Sequence, residues 1–332
     1  MQDRDRVWAI GVDLGGQSVK LALVDETGRI GPRRQAPLDA GQAVEHITAL
    51  IVQEINTLSE DARRAGLEPV GVGMVMPGYM DAARSKLVFA ANLPTLNGTD
   101  FLGVIRRSLD LPVVFDADSN AAAYGEYRFG AGQDVDRLIV VAIGTGIGAG
   151  VILGGRILRI WNHIAGSLGH VIVDANGPAC RCGARGCVEA HASGPVFERR
   201  AGELADAEPS SRLAALRAAS GRLTGVELGQ ALREGDTAAA KVVQACGWWL
   251  GAGVASWSVI YHPDKVLIGG GIGALGAPLL AAIREGLAEV GQPKATQHVA
   301  IEAALLGADA GVVGAAALAM AETETNSAMS AT

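Results

Sequence analysis

"GVDLGGQSVKLALVD" (residues 11–25) and "AIGTGIGAGVILGG" (residues 142–155) repeat one pattern: an apolar run, a glycine-rich turn and a second apolar run. Aliphatic and β-branched residues on both sides of a tight glycine turn predict a β-hairpin. Backbone N–H groups turned outward at such a turn make a nest for phosphate oxygens. Two nests, one in each half of the chain, could grip a polyphosphate from both sides. Asp13 stands just before the first turn, where a strand-end carboxylate either holds Mg2+ through water or caps the turn.

Further strands are predicted in "PVGVGMVMPG" (69–78), "LPVVFDAD" (111–118), "DRLIVVAIGTG" (136–146) and "DKVLIGGG" (264–271), all short and rich in aliphatic residues. Helical patterning covers 41–65, 119–129, 227–234, 237–258, 275–290 and 308–322. The alternation predicts an α/β protein with mixed sheets. Residues 323–332 are polar enough to predict a disordered tail. With 332 residues, 49% of them hydrophobic, the chain suits two domains better than one. A net charge of -7 without any Lys/Arg-rich run argues against nucleic acid or an anionic membrane as partner. Glycine or polar residues interrupt every apolar run short of the roughly 20 residues that a membrane span needs. The N-terminus enters a strand almost at once, which excludes a signal peptide from the reading and predicts a cytoplasmic location.

"HVIVDANGPACRCGARGCVEA" (170–190) holds three of the four cysteines, Cys180, Cys182 and Cys187, behind His170. In a reducing compartment such a cluster is a metal site or an oxidisable thiol group, and thiolates would favour Zn2+ over Mg2+. Spacing alone leaves both open. Cys246, inside the apolar run "VVQACGWWL" (242–250), is expected in the core.

Six motifs then occur in a telling order: "DLGGQSVK" (13–20), "ADSNAAAYGE" (117–126), "GTGIGAGVILGG" (144–155), "AGSLGH" (165–170), "CRCGARGCVEAHASG" (180–194) and "LIGGGI" (267–272). In this order the chain resembles, over nearly its whole length, the ROK family of sugar kinases and related repressors. The resemblance implies an actin-like, hexokinase-like (ribonuclease H-like) α/β fold of two lobes around a cleft. The small lobe is expected over 1–117, with helix 308–322 packed back onto it, and the larger over 118–307, with a zinc loop at 170–187. No N-terminal segment is long enough for a helix-turn-helix, so the kinase branch is expected rather than the repressor branch.

The resemblance also implies site roles. Asp118 would be the general base on a sugar hydroxyl attacking the γ-phosphate of ATP, with Asp116 the alternative base in a poorer register. His170 would bind zinc through one ring nitrogen and a sugar hydroxyl through the other, together with Cys180, Cys182 and Cys187 as the remaining zinc ligands. Glu189 and Asn120 would touch the sugar. Asp13, Gly15, Gly16, Gln17, Lys20, Thr145 and Gly146 would serve the nucleotide phosphates and Mg2+, and Gly269 and Gly270 the adenine wall. The implied partners are a small sugar or polyol and a second copy of the chain in a homodimer.

Three positions depart from the family pattern. Gln17 replaces a threonine, Ala117 an asparagine that contacts sugar, and Ser167 a glutamate that also contacts sugar. Gln17 still donates hydrogen bonds, whereas the other two remove sugar contacts. The acceptor is therefore expected to be something other than plain glucose, such as an unusual hexose, an amino sugar or a C7-cyclitol; the competing expectation is a non-catalytic sugar sensor. "GIGALG" (271–276) matches the dinucleotide signature G-x-G-x-x-G, but only one strand-like run, "HVAIEAALL" (298–306), follows it. Glu285 and Glu289, the acidic residues at about the right distance, fall in a helical pattern. The remaining chain is too short for a Rossmann domain.

Overall fold

The computed structural model describes residues 6–81, 83–159 and 167–330, which excludes the first two residues of "AGSLGH". In chain order the first half holds β1 (Trp8–Leu14), β2 (Ser18–Asp25), β3 (Ile30–Pro37), α1 (Val44–Arg64), β4 (Pro69–Met76), β5 (Tyr79–Met80), β6 (Leu87–Phe89), α2 (Phe101–Ser108), β7 (Val113–Ala117) and α3 (Asp118–Phe129). Next come β8 (Arg137–Ile143), β9 (Ile147–Leu153), β10 (Arg156–Ile157), α4 (Val188–Ala192), α5 (Gly194–Ala207), α6 (Arg212–Ser220), α7 (Gly225–Arg233) and α8 (Thr237–Tyr261). The chain finishes with β11 (Lys265–Gly269), α9 (Gly270–Gly273), α10 (Ala277–Val290), α11 (Pro293–Thr296), β12 (Ala300–Ala303) and α12 (Ala310–Ser330).

Two compact units result: Met1–Gln133, Arg156–Gly166 and Ala308–Thr332 form one, and Asp134–Gly155 with Ser167–Gly307 the other. The sheet of the first runs β3–β2–β1–β4–β7, with β1 antiparallel to β2 and parallel to β4, and β4 parallel to β7. In the second unit β9–β8–β11–β12 follow the same rule, antiparallel and then twice parallel. The two hairpins quoted at the outset therefore occupy equivalent places in two copies of one sheet pattern.

The core of the first unit explains its helices. Along α1, Ile47, Ile51, Ile55, Leu58 and Ala62 recur every three or four residues and bury against Trp8, Ile10, Val12 and Leu21. α12 reaches the sheet backbone because glycine leaves room for it. A Cβ built on Gly73 would lie 1.7 Å from the Ala315 carbonyl oxygen, and one on Gly11 1.9 Å from that of Val312. On the far side of α12, a Cβ on Gly314 would lie 1.8 Å from the Ala121 carbonyl oxygen of α3. α12 thus cements α3 to the first unit, whereas the sequence boundary at 117/118 assigns α3 to the second. α12 also continues to Ser330, so the residues of the expected tail up to 330 are helical, extending a helix whose first half is already docked. Residues 331–332 lie outside the described residues.

Backbone lies on both sides of the Gly73 contact, so neither side can yield. Gly73→Ala is expected to destabilise the protein by about 3 kcal/mol in denaturant titration, the upper end of overpacking costs. Gly271→Ala, with nothing within 4 Å of the new methyl, should change stability by less than about 0.5 kcal/mol.

Candidate active site

In the first unit the candidate residues gather at the C-terminal ends of parallel strands. β1 delivers Asp13 into the turn at Gly15, Gly16 and Gln17, and Lys20 returns opposite Asp13 on β2. Gly15 N–H donates to the Ser18 carbonyl at 2.9 Å, and the Leu38 N–H holds the Gln17 carbonyl at 2.9 Å. The N–H groups of Gly16 and Gln17 meet no acceptor among the described residues. Burial raises the pKa of Asp13, with Lys20 opposing the shift.

Asp118 is the first residue of α3, immediately after β7, and Ala117 takes the N-cap place without a capping side chain. Among the described residues the Asp118 carboxylate accepts the neighbouring Ser119 N–H, at 2.6 Å through Oδ1, which leaves Oδ2 without a hydrogen bond. Solvent reaches it, yet the protein around it strips enough hydration to raise its pKa to about 6, and the charge of Asp13 adds to the rise. At neutral pH it is an ionised carboxylate with a base strength near the working pH, as proton abstraction requires.

Asp116 is built differently. It is 3% exposed; Arg159 donates to its Oδ2 from Nε at 2.8 Å and from Nη2 at 2.6 Å. Its Oδ1 accepts the Ala117 N–H and the Asn120 Nδ2, each at 2.8 Å. A buried carboxylate so paired has no free lone pair for a substrate proton, which removes it as the alternative base. Asn120, expected at the sugar, places an amide hydrogen on Asp116. Arg159 belongs to no motif in the sequence and could not be found there.

In the second unit the turn between β8 and β9 has all three carbonyls bound within the protein. The Gly194 N–H donates to the Gly144 carbonyl at 2.8 Å, Arg181 Nη2 to that of Thr145 at 2.7 Å, and Gly144 N–H to that of Gly146 at 2.9 Å. The N–H groups of Thr145 and Gly146 meet no acceptor among the described residues. Bound carbonyls and unclaimed amides give the turn the polarity of an anion nest. Gly269 pairs with Ala142 at the end of β11, and Gly270, at φ +78°, has room for no Cβ because Ile143 backbone would lie 2.5 Å away. Both glycines therefore sit beside the same turn.

The metal candidates converge in this unit too. One ligand atom from each of His170, Cys180, Cys182 and Cys187 lies within 4.8 Å of the others. His170 Nδ1 is 3.6 Å from Cys180 Sγ, and the Cys182 and Cys187 sulfurs are 3.7 Å apart. Burial and its sulfur neighbours push the Cys187 thiol up to about 12, a cost that a thiophilic cation would reverse by taking the thiolate as ligand. Three soft sulfurs and one imidazole fit Zn2+. Ser167 opens the 3-10 turn Leu168–His170, and Glu189, on α4 after the last cysteine, accepts the Ile147 N–H at 2.9 Å through Oε2. His191, buried and stacked on Trp249 at 3.9 Å between ring centres, anchors that short helix to α8; no spacing in the sequence signals it. Cys246 is fully buried in α8, as expected for a core residue.

A model of the ROK family matches residues 9–322. A glucokinase of Halalkalibacterium halodurans is 30% identical over 317 residues, covering 95% of this chain and 94% of that protein. An N-acetylmannosamine kinase of Escherichia coli O139:H28 is 31% identical over 317 residues, covering 94% and 98%. Among solved structures, a ROK family glucokinase from Streptomyces griseus, in complex with glucose and AMPPNP, superposes with a TM-score of 0.79 at 34% identity and covers 95% of this chain and 99% of that one.

Proposed function

The chain belongs to the ROK family, and from that premise we propose that it is an ATP-dependent kinase that phosphorylates a hydroxyl of a sugar or sugar-like polyol. Asp118 carries the reading: a solvent-reachable carboxylate with one oxygen unbonded among the described residues, with a pKa of about 6 and a second acid, Asp13, nearby. It takes the hydroxyl proton as the oxygen attacks the γ-phosphorus. In the first unit the unclaimed amides of Gly16 and Gln17, with Lys20, form one nest for phosphate oxygens, and in the second those of Thr145 and Gly146 form another. Asp13 would hold Mg2+, which would neutralise charge on the phosphates, and Gly269 and Gly270 would line the adenine. His170 and Glu189 hold the acceptor.

Relatives named for glucose and for N-acetylmannosamine share this scaffold, so a few side chains choose the acceptor. With Ala117 and Ser167 in place of two sugar ligands, the acceptor is an unusual hexose, an amino sugar or a C7-cyclitol rather than plain glucose. The test is ADP release against aldohexoses, ketohexoses, amino sugars and cyclitols. If the protein binds ATP and a polyol but transfers phosphate to no acceptor, it is a sensor on the same scaffold. The homodimer that the resemblance implies is part of the proposal, as is a cytoplasmic location; no described helix is long and apolar enough to cross a membrane.

Zn2+ would be held by His170, Cys180, Cys182 and Cys187. Bound there, it would close the loop and, by taking one ring nitrogen, would fix the tautomer and aim of His170, whose imidazole would then face the acceptor hydroxyl. We expect about one zinc per chain by elemental analysis, and chelation should abolish acceptor binding before the first unit unfolds. Metal-free protein with full acceptor affinity would refute this.

A further inference from the structure

The glycine turn of the second unit is held by a residue of the metal loop. Arg181 lies between two of the candidate ligands, Cys180 and Cys182, and its Nη2 donates to the Thr145 carbonyl at 2.7 Å. That carbonyl shares a peptide plane with the N–H of Gly146. The plane is rigid and trans, so C=O and N–H point in opposite directions, and holding one aims the other. The preceding peptide is fixed in the same way, because Gly194 N–H holds the Gly144 carbonyl and thereby aims the N–H of Thr145. Within this turn these are the two N–H groups left without an acceptor among the described residues. Glycine at 144 and 146 would otherwise let either peptide rotate and turn a carbonyl toward an incoming anion.

We propose that Arg181 is a positioning residue for the nucleotide: from within the metal loop it orients the Thr145–Gly146 peptide so that the Gly146 amide receives a phosphate oxygen. The inference rests on the reading of this turn as a phosphate nest. It goes further in making one loop serve both ligands, since the segment that carries His170, the three cysteines and Glu189 also sets the phosphate turn. Glu189 adds a second tie between the two, through the Ile147 N–H directly after the turn. The guanidinium is exposed and keeps further donors, so the Thr145 contact costs it little hydration.

The test is calorimetric titration of the full-length, metal-loaded protein with the non-hydrolysable analogue AMPPNP and Mg2+, alongside its zinc-to-protein ratio. Arg181→Ala should weaken AMPPNP binding about tenfold with the zinc ratio and Tm unchanged, as expected for the loss of one charge-assisted hydrogen bond that organises a donor. Arg181→Lys, which keeps a cationic donor, should recover at least half of that loss on a logarithmic scale. AMPPNP affinity unchanged in Arg181→Ala would overturn the proposal. So would a weaker affinity that comes with loss of zinc, because the arginine would then merely support the loop. If the wild type itself fails to bind AMPPNP, the phosphate-nest reading falls first, which separates the two failures.

Discussion

Asp118→Asn is expected to lower kcat by about 10²-fold or more while nucleotide and acceptor still bind, the usual scale for loss of a general base. The substitution keeps the shape and removes the proton acceptor. Among the described residues Asp118 has a single hydrogen-bond donor in contact, the Ser119 N–H, which the amide oxygen of asparagine can also accept, so the helix start should survive. Because Asp13 adds repulsion, the neutral side chain should stabilise rather than weaken the fold there. The pH dependence follows from the same group. Its pKa lies near 6, and the protonated form cannot accept a proton, so kcat/KM of the wild type should fall about tenfold per pH unit below pH 6 and level off above it. The residual activity of Asp118→Asn should lack that acid limb. A variant with wild-type kcat, or one that keeps the limb, would move the base elsewhere; Asp116, ion-paired to Arg159 and bonded to Asn120, is not an available substitute.

The hairpins and the buried parallel strands were legible because their signals are local: a glycine turn between aliphatic runs says what it is within fifteen residues. β3 carries no such signal. "IGPRRQAP" is polar and contains prolines, tolerable only because the strand lies at the sheet edge, which the sequence does not reveal. α6 is so rich in alanine that its helical period blurs, and it is recognisable only by what it packs on. The gathering of His170, Cys180, Cys182 and Cys187 was legible through the family resemblance, since spacing alone left a metal site and an oxidisable thiol group both open. The chain-distant contacts were not: Arg159 reaches Asp116 across 43 positions, and Arg181 reaches Thr145 across 36. Nothing in a sequence read singly marks an arginine for such a partner. The same holds for the boundary at 117/118, since the contact that assigns α3 to the first unit comes from α12, nearly two hundred residues away.

The acceptor prediction depends on magnitudes. A hydrogen bond from a charged group to a sugar hydroxyl is worth roughly 1.5 to 3 kcal/mol, and a neutral one about 1. If these positions face the sugar as proposed, serine at 167 in place of a glutamate and alanine at 117 in place of an asparagine would cost roughly 2.5 to 4 kcal/mol, or on the order of 10²-fold or more in glucose affinity. The structure bears on whether a neighbour could refill the gap. Ala117 sits at the N-cap of α3 with only a methyl to offer, and the nearest amide in sequence, Asn120, already donates to Asp116. Ser167 opens the turn that ends in His170, and its hydroxyl is too short to reach where a glutamate carboxylate would. Ala117→Asn combined with Ser167→Glu is accordingly expected to raise kcat/KM for glucose by about 10²-fold, while the acceptor preferred by the wild type loses ground because new side chains fill the space it uses. The check is kcat/KM for glucose and for the preferred acceptor in both proteins. A wild type that already favours glucose with a micromolar KM, or a double variant no better on glucose, would mean that ordered water or a side chain outside these two positions holds those hydroxyls, and that the choice of acceptor is made elsewhere.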